Sequence, residues 1–395
     1  MKVLVISHMY PSNFNTMAGI FVKKQVEELT KLGCEVKVIS PVPWSGFPLN
    51  IISSKWKKYS NIPYEDVIDG VKVYYPRYLE FPKGYAFEGS GKRMYNAIKK
   101  LVLQLNEKDK FDLIHCHVAL PDGYCGMLLK EELKIPLVTT VHGQDFQYTI
   151  NKSEKLKKAV FHALRASDKI ITVSNKLRNI VKDQDFNSKI EVISNGISLE
   201  DCILNEKTNL DNVPFDIGIL SASNLVKTKG IDLNIKAMKE VVKKHKKLKY
   251  YIIGSGPEKD NLMELTKKCG LQDNVVFKGR LEHKEVIKYM SKCQIFSLPS
   301  WQEGFGVAYV EAMLQGKPVI GVKGEGIEDV ISHMKNGILV ESKNLEDLIK
   351  NIEFLLENKE KANNIAKEGK KTVVNDFTWK NTAKKTIKLY NTMIN

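Results

Sequence analysis

The chain is poor in arginine, in paired cysteines and in long apolar runs, and each shortage removes a class of protein. Of 61 basic residues only five are arginine: Arg77, Arg93, Arg165, Arg178 and Arg280. Arginine dominates base-edge readout and bidentate phosphate clamps, so its scarcity argues against a nucleic-acid reader despite the net charge of +15. Part of the lysine excess is compositional, since asparagine and isoleucine are also abundant; the remainder favours acidic ligands or an anionic membrane surface. The six cysteines (Cys34, Cys116, Cys125, Cys202, Cys269, Cys293) form no Cys-x-x-Cys pair. They read as small buried hydrophobes in a reducing compartment, which predicts a cytoplasmic protein. No window approaches the roughly 18 apolar residues of a membrane span. The start, Met1-Lys2-Val3-Leu4-Val5-Ile6-Ser7, reads as a first strand and not as a leader. Neither a short-period repeat nor a Gly-x-x-x-x-Gly-Lys-Ser/Thr phosphate loop occurs, which argues against a P-loop kinase or ATPase.

What is present is a globular chain of 395 residues, 43% hydrophobic and 27% charged. That length favours two domains over one. Apolar strands alternate with helical patterns, the sign of parallel βαβ units. Strands are expected at 3–7, 35–40, 112–115, 137–141, 169–173 and 190–194, with helices at 20–32, 94–105, 121–133, 153–166 and 175–182. A polar linker, 198–212, precedes a second series: strands at 215–221, 249–253, 275–277, 295–298, 319–322 and 338–340, with helices between and three helical patterns from 345 to 394. Between 41 and 63 the alternation breaks. Pro41, Pro43, Trp44, Phe47, Pro48 and Trp56 mix with Lys55, Lys57 and Lys58 there, and Lys83, Lys92, Arg93, Lys99 and Lys100 follow. Aromatics among lysines suit a lipid headgroup interface, and an ordinary loop with a solvated helix face suits them too.

Residues 300–318 are the most informative stretch. A strand ending in Pro299 is followed by Gly304 and Gly306, then by helix-forming residues 307–315, which Gly316 and Pro318 stop. Glu303 therefore lies in the loop before a helix, and Glu311 lies one to two turns inside it. Their carboxylates would stand roughly 8–12 Å apart at 1.5 Å per residue, with the unpaired N–H groups of a helix start between them, an anion site. A ligand with hydroxyls at both ends and phosphates in the middle fits, as a nucleotide-sugar does. A solvated loop acid and an outward helix acid would satisfy the same spacing.

Other positions sit where open α/β sheets bind ligands, at the carboxyl ends of strands. Gly19 closes the first strand-to-helix loop and could let the backbone approach a ligand, or could simply open its helix. Lys229 precedes a helix start, where a cation opposes the dipole by about 0.3–1 kcal/mol unless an anion binds beside it; Gly230 leaves room for one. His142 ends the uncharged strand 137–141. His115 and His117 share a strand face, but two ligands do not make a zinc site. Gly254-Ser255-Gly256-Pro257 invites a dinucleotide reading, yet Lys259 stands where the third glycine belongs. Gly279 and Arg280 leave another strand, where backbone groups could meet a nucleobase edge.

Taken together, Glu303-Gly304-Phe305-Gly306-Val307-Ala-Tyr-Val-Glu311 resembles the signature of the family 4 retaining glycosyltransferases of the GT-B fold. Further segments resemble that family in the right order: Met17-Ala-Gly-Ile-Phe, Thr140-Val-His-Gly-Gln-Asp145, Ile193-Ser-Asn-Gly-Ile197, Lys229-Gly230, Ile253-Gly-Ser-Gly-Pro257 and Gly316-Lys-Pro-Val-Ile320. His8-Met-Tyr-Pro-Ser12 with Gly19-Ile-Phe-Val-Lys-Lys-Gln25 further resembles enzymes of bacterial surface polysaccharide assembly, such as teichuronic acid synthesis. The resemblance implies an α/β architecture of two facing, doubly wound Rossmann-like domains with an interdomain cleft. Residues 1–200 would bind the acceptor, 201–375 the nucleotide-sugar, and a helix at 376–395 would return to the first domain. It implies that Glu303 contacts hydroxyls of the donor sugar, Glu311 the ribose, and the amides of Gly304, Phe305, Gly306 and Val307 the sugar and diphosphate. Lys229 would neutralise the departing diphosphate, Gly19 would approach it, His142 would line the sugar site, and Gly279 and Arg280 would lie beside the base. No metal and no cofactor are implied.

One departure stands out: the family places an arginine five residues before the lysine, and this chain has Asn224. The expected activity is retaining transfer of a hexosyl group from a nucleoside-diphosphate sugar, with uridine expected by family habit, to a glycan or lipid-linked acceptor. The alternatives are a glycoside hydrolase using the paired glutamates, or a basic scaffold at nucleic acid or membrane.

Overall fold

The computed structural model describes residues 1–45, 51, 53–81, 84–204, 209–210, 212–214 and 217–394. Phe47, Pro48, Lys83 and the expected strand start at residue 215 lie outside the described residues. The chain divides into two compact units, Met1–Ser194 with Trp379–Asn395, and Asn195–Thr378. The crossings fall at 194 and 378, where 200 and 375 were expected. A backbone pairing accounts for both positions: Ile197 N–H donates to the Phe377 carbonyl and Ile197 bridges Thr378, so the chain enters and leaves the second unit side by side.

In the first unit, eight strands stand in the order Ile190–Val192, Lys169–Thr172, Leu137–Val141, Leu113–His117, Lys2–Ile6, Glu35–Ile39, Val71–Tyr74 and Glu65–Ile68. All pair in parallel except the last two. The central strands Leu113–His117 and Leu137–Val141 are buried at every residue, because helices cover both faces of a parallel sheet. The antiparallel edge was not foreseen from the βα rhythm. It is a hairpin turning on Asp69 and Gly70, whose φ values of +48° and +81° suit a two-residue turn.

Helix Ile20–Lys31 turns Val22, Gln25, Val26 and Leu29 inward at helical spacing. Helix Trp379–Ile394 packs against it, and Gln25 Nε2 donates to Thr386 Oγ1 at 3.1 Å. The C-terminal helix is thereby part of the first unit's core. Helix Ser90–Asp109 extends beyond the expected 94–105 at both ends, whereas the expected helix at 121–133 begins only at Tyr124, after a wide turn over Ala119–Gly123.

The second unit holds six parallel strands ordered Val275–Gly279, Lys249–Ile253, Ile217–Ala222, Ile295–Ser297, Val319–Val322 and Ile338–Val340. Numbered along the chain, this is the doubly wound order 3-2-1-4-5-6. The order reverses between Ile217–Ala222 and Ile295–Ser297, and a buried polar network fixes that junction. Asn234, on helix Ile231–Lys244, donates through Nδ2 to Ser221 Oγ (3.1 Å), Tyr250 OH (3.2 Å) and the Ser297 carbonyl (3.0 Å), and its Oδ1 accepts from Ser297 Oγ at 2.8 Å. Leaving one of these buried groups unpaired would cost about 1–3 kcal/mol, so the helix and the two strands are held in one register.

Candidate functional site

At the reversal of the second sheet, the loops after its two central strands are stitched together. Trp301 N–H and Ser300 Oγ both donate to the Thr228 carbonyl, at 2.9 and 3.1 Å. This brings a turn over Lys227–Lys229 beside the loop carrying Glu303. Gly230 ends the turn at φ +67°, where a Cβ would lie 2.2 Å from the Pro299 carbonyl oxygen. Only glycine allows that approach. Lys229 Nζ then reaches Glu303 Oε2 at 2.5 Å, with side chains 20% and 15% exposed. Glu303 is therefore no solvated loop acid.

The Glu303 loop is braced from behind by residues that the sequence reading did not single out. Glu303 N–H donates to Glu325 Oε2 at 2.6 Å. A Cβ on Gly326 would fall 2.2 Å from the Gly304 carbonyl oxygen. The run Gly324-Glu325-Gly326 after a strand was the available signal. Gly306, at φ +94°, opens helix Val307–Leu314 with no side-chain cap and no acid in its first turn. The positive end of that helix thus lies next to the Lys229–Glu303 pair without a competing carboxylate of its own. Phe305 is buried, its ring 6.1 Å from Phe377, so any contribution it makes to a ligand comes from its backbone.

Glu311 lies in the second turn of that helix, and its Oε1 sits 2.7 Å from His283 Nε2. It lines an open pocket of about 520 Å³ together with Ser223, Asn224, Gly254, Ser255 and Arg280. The pocket explains the glycine-rich segment that failed as a dinucleotide fingerprint. Gly254, at φ +141°, would drive a Cβ to 1.8 Å from the Ser223 carbonyl oxygen, and its N–H donates to the Gly279 carbonyl. These glycines let three strand ends crowd together under the pocket. Asn224 and Arg280 are exposed at its rim, and Ser223 Oγ is buried there without a hydrogen-bond partner.

The first unit builds a different chemistry at its own reversal, between Lys2–Ile6 and Leu113–His117. His115 Nδ1 meets Tyr390 OH at 2.5 Å and its Nε2 meets Thr140 Oγ1 at 2.7 Å. His117 Nδ1 lies 3.0 Å from His142 Nε2, with the two rings stacked, and Phe21 packs 4.3 Å from the His142 ring. Burial pushes His115 and His142 down to about 3, and His117 well below the usual histidine range. Three neutral imidazoles result. Since each neutral ring has one donor and one acceptor, the 117–142 bond leaves His117 Nε2 and His142 Nδ1 as one spare donor and one spare acceptor.

Beside them, His8 Nδ1 lies 3.0 Å from both carboxylate oxygens of fully buried Asp122. Burial lowers the His8 imidazole, but the Asp122 carboxylate outweighs it and the net shift is upward. Asp145 is pushed up to about 7 by burial; its Oδ1 accepts from Ala119 N–H and its Oδ2 has no partner. Gly19 has a local reason to be glycine: at φ +56° its Cβ would strike the Met9 carbonyl oxygen at 2.0 Å. It opens helix Ile20–Lys31, which likewise has neither a side-chain cap nor an acid in its first turn.

Of the residues singled out from sequence, the second unit gathers Lys229, Glu303, Gly304, Phe305, Gly306 and Val307 around one helix start, and Asn224, Arg280 and Glu311 around the adjoining pocket. Gly279 supports that pocket through its carbonyl. His142 and Gly19 belong to the first unit.

Two family models match the chain: "Glycosyltransferase Family 4" over residues 18–201 and "Glycosyl transferases group 1" over 209–372. An uncharacterized glycosyltransferase of Methanocaldococcus jannaschii is 30% identical, over 99% of this chain and 98% of its own. A Bacillus subtilis protein named as a teichuronic acid biosynthesis glycosyltransferase is 28% identical, over 88% of this chain and 87% of its own. Among solved structures, sucrose-phosphate synthase of Thermosynechococcus elongatus superposes with a TM-score of 0.78 at 20% identity, over 99% of this chain and 98% of that one. HepE of Anabaena, solved with UDP and glucose, gives 0.71 at 18% identity, over 99% and 100%.

Proposed function

Because the chain belongs to the family 4 glycosyltransferases of the GT-B fold, we propose that it moves a hexosyl group from a nucleoside-diphosphate sugar to a glycan or lipid-linked acceptor in surface polysaccharide synthesis. The observation that carries this reading is the meeting of Lys229 and Glu303 beside the uncapped start of helix Val307–Leu314. Family membership sets aside the hydrolase and scaffold alternatives.

Breaking a sugar–phosphate bond builds negative charge on the diphosphate and positive charge on the sugar ring. Lys229 and the amides of Gly306 and Val307 are placed to receive the former, a preorganised stabilisation that requires no metal ion. Lys229 is neutralised by Glu303 before the donor arrives. Binding therefore involves an exchange: the ammonium turns to the diphosphate, and the Glu303 carboxylate, released, accepts hydrogen bonds from sugar hydroxyls. Glu303 acts as a positioning carboxylate, and transfer proceeds with retention by attack on the face from which the diphosphate leaves.

The pocket of Asn224, Arg280 and Glu311 takes the nucleoside, with Glu311 accepting from the ribose hydroxyls. Uridine is proposed from the Anabaena relative that holds UDP. His142, with a spare ring nitrogen, is read as a partner of a sugar hydroxyl in the first unit. Six scattered cysteines with no Cys-x-x-Cys pair, five of them buried, support a cytoplasmic setting. No helix among the described residues is long and apolar enough to cross a membrane. Exposed Trp44, Ile51, Tyr64 and Tyr85, with Lys57 and Lys58, support peripheral contact with an anionic leaflet.

Titration calorimetry with UDP tests the site. Glu311→Ala and Lys229→Ala should each weaken binding about tenfold or more, the loss of one charge-assisted contact, in protein that remains folded. Wild-type affinity in both variants would refute the assignment.

A further inference from the structure

Cys202, His283 and Glu311 come from three separate elements of the second unit: the end of helix Leu199–Cys202, the start of helix His283–Lys292, and the second turn of helix Val307–Leu314. One ligand atom from each lies within 4.8 Å of the other two. We infer that these residues form a binding site for a transition-metal ion, zinc by the chemistry of its donors, whose occupation blocks the donor pocket.

The donor set decides the metal. A thiolate, an imidazole and a carboxylate suit zinc and its cobalt surrogate, whereas magnesium and calcium prefer oxygen alone. Three protein ligands leave the fourth tetrahedral position to water or to a ligand oxygen. The convergence is built into the fold. Gln315, just beyond the Glu311 helix, donates through Nε2 to the Cys202 carbonyl at 2.7 Å, which holds the short helix against the longer one. Cys202 is 2% exposed and the Glu311 side chain 13%, while the His283 side chain at 39% gives the ion a way in.

Tetrahedral zinc with bonds of about 2.0–2.3 Å sets its ligand atoms roughly 3.3–3.8 Å apart. The His283 Nε2–Glu311 Oε1 separation of 2.7 Å must therefore open slightly, and the ion takes the place of the shared proton. Imidazole supplies a lone pair from Nε2 by moving its proton to Nδ1. The Cys202 thiol gives its proton to solvent.

Glu311 would then have two uses that exclude each other. Bound to metal, its carboxylate cannot accept from a ribose, so zinc and nucleotide compete. That coupling rests on the proposed nucleotide pocket, whereas metal binding itself does not.

The experiment uses the intact protein with Co²⁺ as probe. One equivalent should give a thiolate-to-cobalt charge-transfer absorption and tetrahedral visible bands, both abolished by Zn²⁺. Cys202→Ser should remove the charge-transfer band, and His283→Ala, at a half-exposed position that leaves the fold intact, should weaken cobalt binding roughly 100-fold. Excess UDP should displace the ion from the wild type, and Zn²⁺ should raise the apparent Kd for UDP in the wild type but not in Cys202→Ser. Absence of the band in the wild type, or its persistence in both variants, overturns the site and leaves the nucleotide pocket standing. A band that UDP does not displace, in a protein that binds UDP, overturns the exclusion.

Discussion

Both units reverse their strand order beside a central parallel strand, and both collect polar side chains at the carboxyl ends there, yet the two collections are electrically opposite. The second unit keeps its polar groups in partly exposed pairs, the Lys229–Glu303 ion pair and Glu311 against His283, next to an uncapped helix start. The first unit keeps His115, His117 and His142 neutral by burial, and seals the Asp122 carboxylate against His8. Desolvation separates them. A charge that must change partners has to stay near water, because moving a paired ion inside a dry core costs several kcal/mol. A neutral imidazole can be buried and still offer one donor or acceptor to a hydroxyl. The topology thus gives each unit a polar edge at its strand ends, and burial decides whether that edge carries charge or neutral donors and acceptors.

Removing the cation should break the contrast most severely. Lys229→Ala should lower kcat by about 10²–10³-fold, the size expected when one preorganised donor to a developing charge is lost. The melting temperature should fall as well, since the Glu303 carboxylate, 15% exposed, loses its cation. Steady-state kinetics beside calorimetry checks both; a kcat within twofold of wild type would place the leaving group elsewhere. Adding a cation should sharpen the contrast. Asn224→Arg places a guanidinium at the pocket rim, where Asn224 is exposed and no packing must yield. A new charge-assisted hydrogen bond of about 1.5–2 kcal/mol should tighten UDP about tenfold. Unaltered affinity would mean that the diphosphate does not reach position 224.

These two substitutions also mark how far the sequence could be read. The positions of Lys229, Glu303 and Glu311 were legible because the loops and the helix start that set them are bounded by Gly and Pro. Both doubly wound sheets were legible for the same reason. The parallel rhythm concealed the Asp69-Gly70 hairpin, since one antiparallel edge strand has the same composition as a parallel one. Pairings across the chain were out of reach. Nothing near Glu303 points to Glu325, and nothing near Glu311 points to His283, because both partners arrive from other loops. Nor could a strand of alternating histidines reveal that His117 would bond to His142 and not to an ion.

The smallest effect tests the neutral side of the contrast through pH. In the unfolded chain a histidine gains its proton near pH 6.5, whereas folded His142 resists until about 3. Between those values the unfolded state binds more protons, so acidification from pH 7 to 4 destabilises the first unit. Asp145 works in the other direction. Its folded carboxyl holds a proton up to about 7 while the unfolded one releases it near 4, so its contribution is stabilising at pH 4 and is lost as pH rises to 7. His142→Gln should therefore make the acid-induced fall in melting temperature shallower, and Asp145→Asn should make it steeper. Discounted for the partial exposure of His142, the change should be about 1 kcal/mol, or roughly 2–4 °C for a unit of this size. Scanning calorimetry at pH 7, 5.5 and 4 reads both slopes. If the two variants shifted the slope the same way, the imidazole and the carboxyl would not be held neutral by burial, and the first unit would lose the property that sets it apart from the second.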